Sequence, residues 1–425
     1  MAAVDASTTT AWLHRRAGFG LSAAALEADT TTSPDDALSE LVGTIDDQPD
    51  PWSGLFEAYD NIGQARRDAV VAWIQRFATT TSPYIDRRSL MLHGWLVSAI
   101  DKATPQTMVD QMRLFMTRGG GSYPGLLRAI TIDPAMLIYL DGRTSTAAAP
   151  NENFGRELLE LFALGVGERP DGSEQPYSED DVKAAAAALT GWAFGRQDDV
   201  SRFVPHRHDD TPQRLLGVPG VHDVDTVIDA VVAHEEHPRF VARRIAAEYV
   251  GDPNDRRLVG VVDDLVDSYE SNDRRLDAVI EDALRLGLEG RSSPIVLAPI
   301  PWMTIAARAL GVSVADLGNR SRDSIREMGH IPMFPRSVKG WEGGTAWFTA
   351  SSLIARTNIA ADLVAAADPD HRLMRAADVG DWDEVARSMG LSETFGAATA
   401  TAIRGATNPN AGLVLALVSP EGLVS

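Results

Sequence analysis

Apolar residues recur three and four positions apart along most of the 425-residue chain, the spacing of one face of an α-helix. The punctuation between these runs is helical as well. Ser33-Pro34 and Thr104-Pro105 read as an N-cap followed by proline at the first helical position. Ser178 with Asp181 has the spacing of a capping box, and Gly165 and Gly251 stand where a helix should stop. The pattern predicts helices over 8–17, 21–29, 34–43, 64–79, 84–101, 105–117, 124–131, 153–164, 179–193, 224–235, 239–250, 254–270, 273–286, 299–310, 314–328, 347–366 and 408–418. Period-two runs bounded by hairpin turns are missing, so any sheet is minor. The expected fold is all-α: a multi-helix, orthogonal bundle-like domain with two long irregular loops and little or no sheet.

Those loops are residues 195–222, polar and rich in histidine and aspartate, and residues 329–344, which carry prolines and four glycines. Loops of this length in a helical protein are often functional. Asp, Pro and Gly become frequent around residues 367–380. The chain therefore divides into a main helical domain, 1–366, with C-terminal helices, 367–425, packed on it, or forms one single domain.

Composition narrows the function classes. The net charge of -21 repels polyanions, so nucleic acid is disfavoured as a partner. With no cysteine, disulfides, thiolate metal sites and a cysteine nucleophile are excluded. No stretch approaches 18 apolar residues, so no transmembrane segment is expected. Met1 to Thr10 lacks the apolar core of a signal peptide, and no apolar run follows Arg15-Arg16. The chain as written reads as cytoplasmic, or as leaving the cell with a partner.

Candidate chemistry concentrates in Pro150 to Gly165. At the α-helical pitch, Phe154, Leu158, Leu161, Phe162 and Gly165 share a face, while Glu152, Arg156 and Glu160 point away from it. Glu157 falls at the margin of the apolar stripe, where burial raises a carboxyl pKa. It is either a structural glutamate satisfied by an arginine or backbone amides, or a catalytic acid. His206 and His208, with Asp209, could supply two imidazoles and a carboxylate to Zn, Fe or Mn, or be solvated loop residues. Trp192 and the Trp341 of Lys339-Gly340-Trp341 offer flat faces for sugar rings, or plug the core. Gly-x-Ser-x-Gly, P-loop and dinucleotide-binding glycine patterns are absent.

Several blocks carry a resemblance. They are Trp12 to Gly20; Asp133-Pro134-Ala135-Met136-Leu137 with Tyr139-Leu140-Asp141; Pro150 to Gly165; Tyr177 to Val182; and Thr190-Gly191-Trp192. His208-Asp209, His237-Pro238, Val338-Lys339-Gly340-Trp341, Gly343-Gly344 and Ser419-Pro420-Glu421 follow in order. Over nearly its whole length the chain resembles the bacterial domain-of-unknown-function family 1800. One departure is Leu92-His93-Gly94-Trp95, where that family usually has a Trp-His-Asn-His type motif. The first histidine is kept and the second lost. The family is often exported and often encoded beside a second family resembling sulfatases and alkaline phosphatases. The resemblance thus implies a protein partner of that type, and no established reaction.

Two classes of function follow. In the first, a helical enzyme hydrolyses a glycan-like substrate by acid–base chemistry. Glu157, Asp209 and Lys339 would be catalytic, Asn153, Arg156, Trp192 and Trp341 would contact substrate, and His208 with His206 would hold a divalent metal if one is used. In the second, the chain is a non-catalytic helical partner or assembly subunit of the sulfatase-like protein.

Overall fold

The computed structural model describes residues 6–28, 33–56, 61–165, 175–195, 197–317, 319–391 and 394–425. Asp29, Arg196 and Gly318, which fall within expected elements, lie outside the described residues. The fold is mostly α, with two small antiparallel hairpins as its only sheets among the described residues. Gln213–Leu215 with Val218–Val221 lies in the first region expected to be irregular, whereas the other hairpin, Trp192–Gly195 with Val200–Phe203, begins where the helix expected over 179–193 should have ended; that helix stops at Ala188.

Local chemistry sets most helix starts. Ser33, Thr104, Asp133, Ser178, Asp223 and Asn408 each accept a hydrogen bond from the third residue of the following helix. Four of these helices open with proline: Pro34–Val42, Pro105–Arg118, Pro134–Tyr139 and Pro409–Leu417. Short helices at Pro134–Tyr139, Arg372–Asp378, Trp382–Ser388 and Ala397–Arg404 were not expected from periodicity. At six to eight residues each, they are too short for a period to show. Those after residue 366 lie near the chain end, where the helix Pro409–Leu417 packs on Ala350–Ala366. Trp302 Nε1 donates to the Leu417 carbonyl at 3.0 Å. Arg15 reaches from the first helix, Ala6–Ala17, to the Met389 and Val424 carbonyls at 3.1 and 2.7 Å.

The helix Pro83–Trp95 is buried on most of its circumference, including Asp86, Arg87, Arg88, Ser89 and His93. Charges at such depth require partners. Asp86 accepts from Arg76 Nε at 2.7 Å and from Thr80 Oγ1. Arg88 and the Tyr84 hydroxyl converge on Asp277 at 2.7 and 2.6 Å, and Arg87 meets Glu248 at 3.2 Å. These contacts fix the helix against Ile62–Thr79, Leu276–Leu288 and Glu236–Tyr249. The sequence pattern carried it on to residue 101, but it stops at Trp95. The reason is tertiary: the second irregular loop seats Gly340 on the Gly94 carbonyl. A Cβ at Gly340 would lie 2.1 Å from that oxygen, and φ there is +79°.

Candidate functional site

The Asn151 side chain caps the signature segment, accepting from Phe154 N at 3.2 Å and donating to the Leu140 carbonyl at 2.7 Å. An α-helix runs only over Glu152–Glu157; Leu158–Leu164 then winds as a π-helix, ending at Gly165 with φ +97°. The single helix expected over 153–164 is therefore two. Helix Glu152–Glu157 crosses the alanine-rich Glu179–Ala188 closely, a Cβ at Gly155 meeting the Val182 carbonyl at 2.8 Å. The carbonyls of the last π turn are taken by side chains from elsewhere in the fold. Trp95 Nε1 donates to Leu161 O at 3.2 Å, the Tyr123 hydroxyl to Phe162 O, and His237 Nδ1 to Ala163 O at 3.1 Å. The three rings form a column, Trp95 on Tyr123 at 4.6 Å and Tyr123 on His237 at 5.8 Å. The wider winding is thus held by tertiary hydrogen bonds, and π turns inside helices are frequent at functional sites.

Glu157 stands at the junction of the two windings, half-buried. Burial raises its carboxyl pKa, and the charge of Glu160 adds to that, while Lys339 and Arg156 oppose it. Lys339, exposed on the second loop, is therefore within electrostatic reach of Glu157. Tyr139 joins the group: burial raises its hydroxyl, with Asp101 and Glu157 acting in the same direction. Beside Glu160, Tyr177 is also pushed up, by burial and by that carboxylate. The helical wheel turned Glu160 away from the apolar face, yet its side chain is only 18% exposed. The wheel assumed the α pitch, and the π winding rotates every later residue relative to it. The i,i+3 spacing of the two glutamates was visible in the sequence; for Tyr139 no signal pointed here.

The remaining candidates are placed elsewhere or otherwise engaged. Arg156 makes a two-pronged pair with Glu179 at 2.8 and 2.6 Å, which ties the signature helix to Glu179–Ala188. Asn153 is exposed. Half-buried Trp341 lies against Gly94, its ring edge-on to His93 at 5.2 Å and to His330 at 4.6 Å. This is the geometry of a plug. Trp192 tilts against Phe203 at 5.6 Å.

His208 and Asp209 gather around Thr190-Gly191. His208 Nδ1 donates to the Thr190 carbonyl at 3.0 Å, and Asp209 N donates to Thr190 Oγ1 at 2.8 Å. Asp209 Oδ1 turns back on Thr211 N at 3.1 Å, and Gly191 at φ +92° leaves room that a Cβ would take 2.8 Å from His208 Cβ. His206 is exposed. Among the described residues no three His, Asp or Glu side chains are gathered as a metal-ligand group, and no helix is long and apolar enough to cross a membrane.

The blocks that carry the family resemblance thus do identifiable structural work. Asn151 and Gly165 bound the π-containing helix, Thr190-Gly191 clamps His208-Asp209, His237 caps a π carbonyl, and Gly340-Trp341 locks the second loop on Gly94. No curated protein and no solved structure is detectably similar to the chain. The model of the family DUF1800, described as a protein of unknown function, matches residues 12–423, nearly the whole chain, and the protein belongs to that family.

Proposed function

We propose that this chain is a hydrolase working by acid–base chemistry at Glu157, on a glycan-like substrate. The observation that carries the reading is a carboxyl half-buried at an α-to-π junction, with its proton affinity raised by burial and by Glu160. A carboxyl whose proton affinity is raised beside a second carboxyl group is the kind of pair that divides acid and base roles in glycoside hydrolysis. Glu157 would protonate the leaving oxygen. Glu160 would serve the opposite step, activating water or attacking directly, and Lys339 would hold negative charge that develops on substrate or leaving group. His208 and Asp209 are left out of this reaction, since Thr190 and the backbone already engage them. Reducing-end release from a panel of oligosaccharides tests the proposal. Activity should vanish in Glu157→Gln and persist in Asp209→Asn; activity that survives Glu157→Gln overturns it.

A second reading, a non-catalytic partner of a sulfatase-like protein, draws support from a different surface. Phe348, Leu353 and Ile354 are 38, 37 and 63% exposed within seven positions around the start of Ala350–Ala366. Exposed apolar residues so grouped mark contact surfaces. Co-purification with the neighbouring sulfatase-like protein, lost in Ile354→Glu and kept in Glu157→Gln, would favour that reading.

A further inference from the structure

A slot of about 340 Å³ opens between the helices Ile62–Thr79 and Asn319–Glu327 and the start of the second irregular loop. Its apolar lining is Val70, Ile74, Ile100, Ile325, Ile331 and Phe334. Its mouth is cationic, with Arg66, Arg67 and Arg326 against one carboxylate, Asp101. Arg66 Nη2 donates to the Asp101 backbone carbonyl at 2.9 Å, not to its carboxylate, and Arg67 Nη2 donates to Gln64 Oε1 at 2.5 Å. Among the described residues none of the three arginines is ion-paired. Three guanidiniums against one carboxylate give the edge of this apolar slot a local positive excess, which favours an anion.

The volume lies at the lower end of the roughly 300–1,000 Å³ of small-molecule sites. It is too small for the apolar face of a helix. The lining, apolar with a few convergent polar groups, is that of a small-molecule pocket. We infer that this slot binds an apolar carboxylic acid, a medium-length acyl chain on the isoleucines with its carboxylate among Arg66, Arg67 and Arg326. The site is separate from that of Glu157, although Asp101 at its edge also acts on Tyr139 and the loop that contributes Ile331 also carries Lys339.

Isothermal titration calorimetry on the full chain, with sodium octanoate and 1-octanol as probes, tests the inference. Octanoate should bind with one-to-one stoichiometry, and 1-octanol about tenfold or more weaker, because it lacks the charge. Arg326→Gln should weaken octanoate about tenfold and leave 1-octanol unchanged. Ile331→Trp, which fills the slot, should abolish both, with an unchanged circular-dichroism melt showing that the fold is intact. Equal binding of the acid and the alcohol, octanoate binding untouched by Arg326→Gln, or no saturable octanoate binding would each overturn it.

Discussion

His237 makes the stability of this fold sensitive to acid. The ring is fully buried, donates from Nδ1 to the Ala163 carbonyl at 3.1 Å, and accepts at Nε2 from the Tyr269 hydroxyl at 2.9 Å. Both nitrogens are thus committed in the neutral form. Burial, the largest cause, pushes its pKa down to about 4. The unfolded chain, with imidazoles at about 6.5, takes up the proton first. The stability contributed by the neutral ring is therefore complete above pH about 6.5 and is lost as pH falls toward 4. Between pH 7 and pH 5 the loss is about 2 kcal/mol for this one residue.

Two more histidines act in the same direction. Burial pushes His93 down to about 3 and His330 well below its ordinary value. His330 Nδ1 lies 3.4 Å from Ile300 N, in place to accept at the start of the helix Pro299–Leu310, a role that protonation would end. Asp133 opposes them. Burial pushes its carboxyl up to about 7, so its contribution grows as pH falls from 7. The losses at His237 and His93, about 2 kcal/mol each, against a gain of about 2 at Asp133 leave a net loss of about 2 kcal/mol by pH 5 from these three, and His330 adds in the direction of loss. The assay is urea unfolding at pH 7 and pH 5 of the native protein and of His237→Asn, which keeps a donor for Ala163 but cannot titrate. The variant will be less stable at both pH values, because Tyr269 loses its acceptor. Its pH difference should shrink by about 2 kcal/mol. An unchanged pH difference would refute the reasoning, since the proton uptake would then not reside at His237.

Three further outcomes are expected. Asp86→Asn should cost about 3–5 kcal/mol in chemical unfolding, because it strands the buried Arg76 guanidinium, whereas Arg156→Gln, which breaks a surface pair, should cost about 1 kcal/mol or less. Gly340→Ala should cost about 3 kcal/mol or more, since its Cβ would meet the Gly94 carbonyl, while Gly344→Ala, at φ +60° with open space around it, should cost only about 1 kcal/mol. Glu157 has a raised folded-state pKa, so its contribution is lost as pH rises through that value. Glu157→Gln should therefore compare more favourably with the native protein in thermal melts at pH 8 than at pH 4.5, and a melting-temperature gap that moves the other way would contradict the assigned environment.

The sequence by itself determined whatever rests on neighbours along the chain. Ser178, Ser33 and Thr104 announce their helices because a cap is a contact across three residues. The near absence of sheet was legible for the same reason: strands show as period two, and the two hairpins that exist are three to four residues per strand, too short to show it. The exceptional position of Glu157 at the edge of an apolar stripe could also be read from spacing alone.

What the tertiary structure decided are the features whose energies come from residues far apart in sequence. The π winding of Leu158–Leu164 is held by Trp95, Tyr123 and His237, between 39 and 74 positions away, and it turns the residues after Glu157 off their α-helical faces. The helix from Pro83 stops at Trp95 because a loop some 246 positions later occupies the space beside Gly94. Asp86 and Arg88 look like surface residues in the sequence, and become interior ones only because Arg76 and Asp277 arrive to neutralise them. A local pattern encodes which face of a helix is apolar, but burial of charge and departure from the α pitch are stable only when a distant partner supplies the missing hydrogen bond.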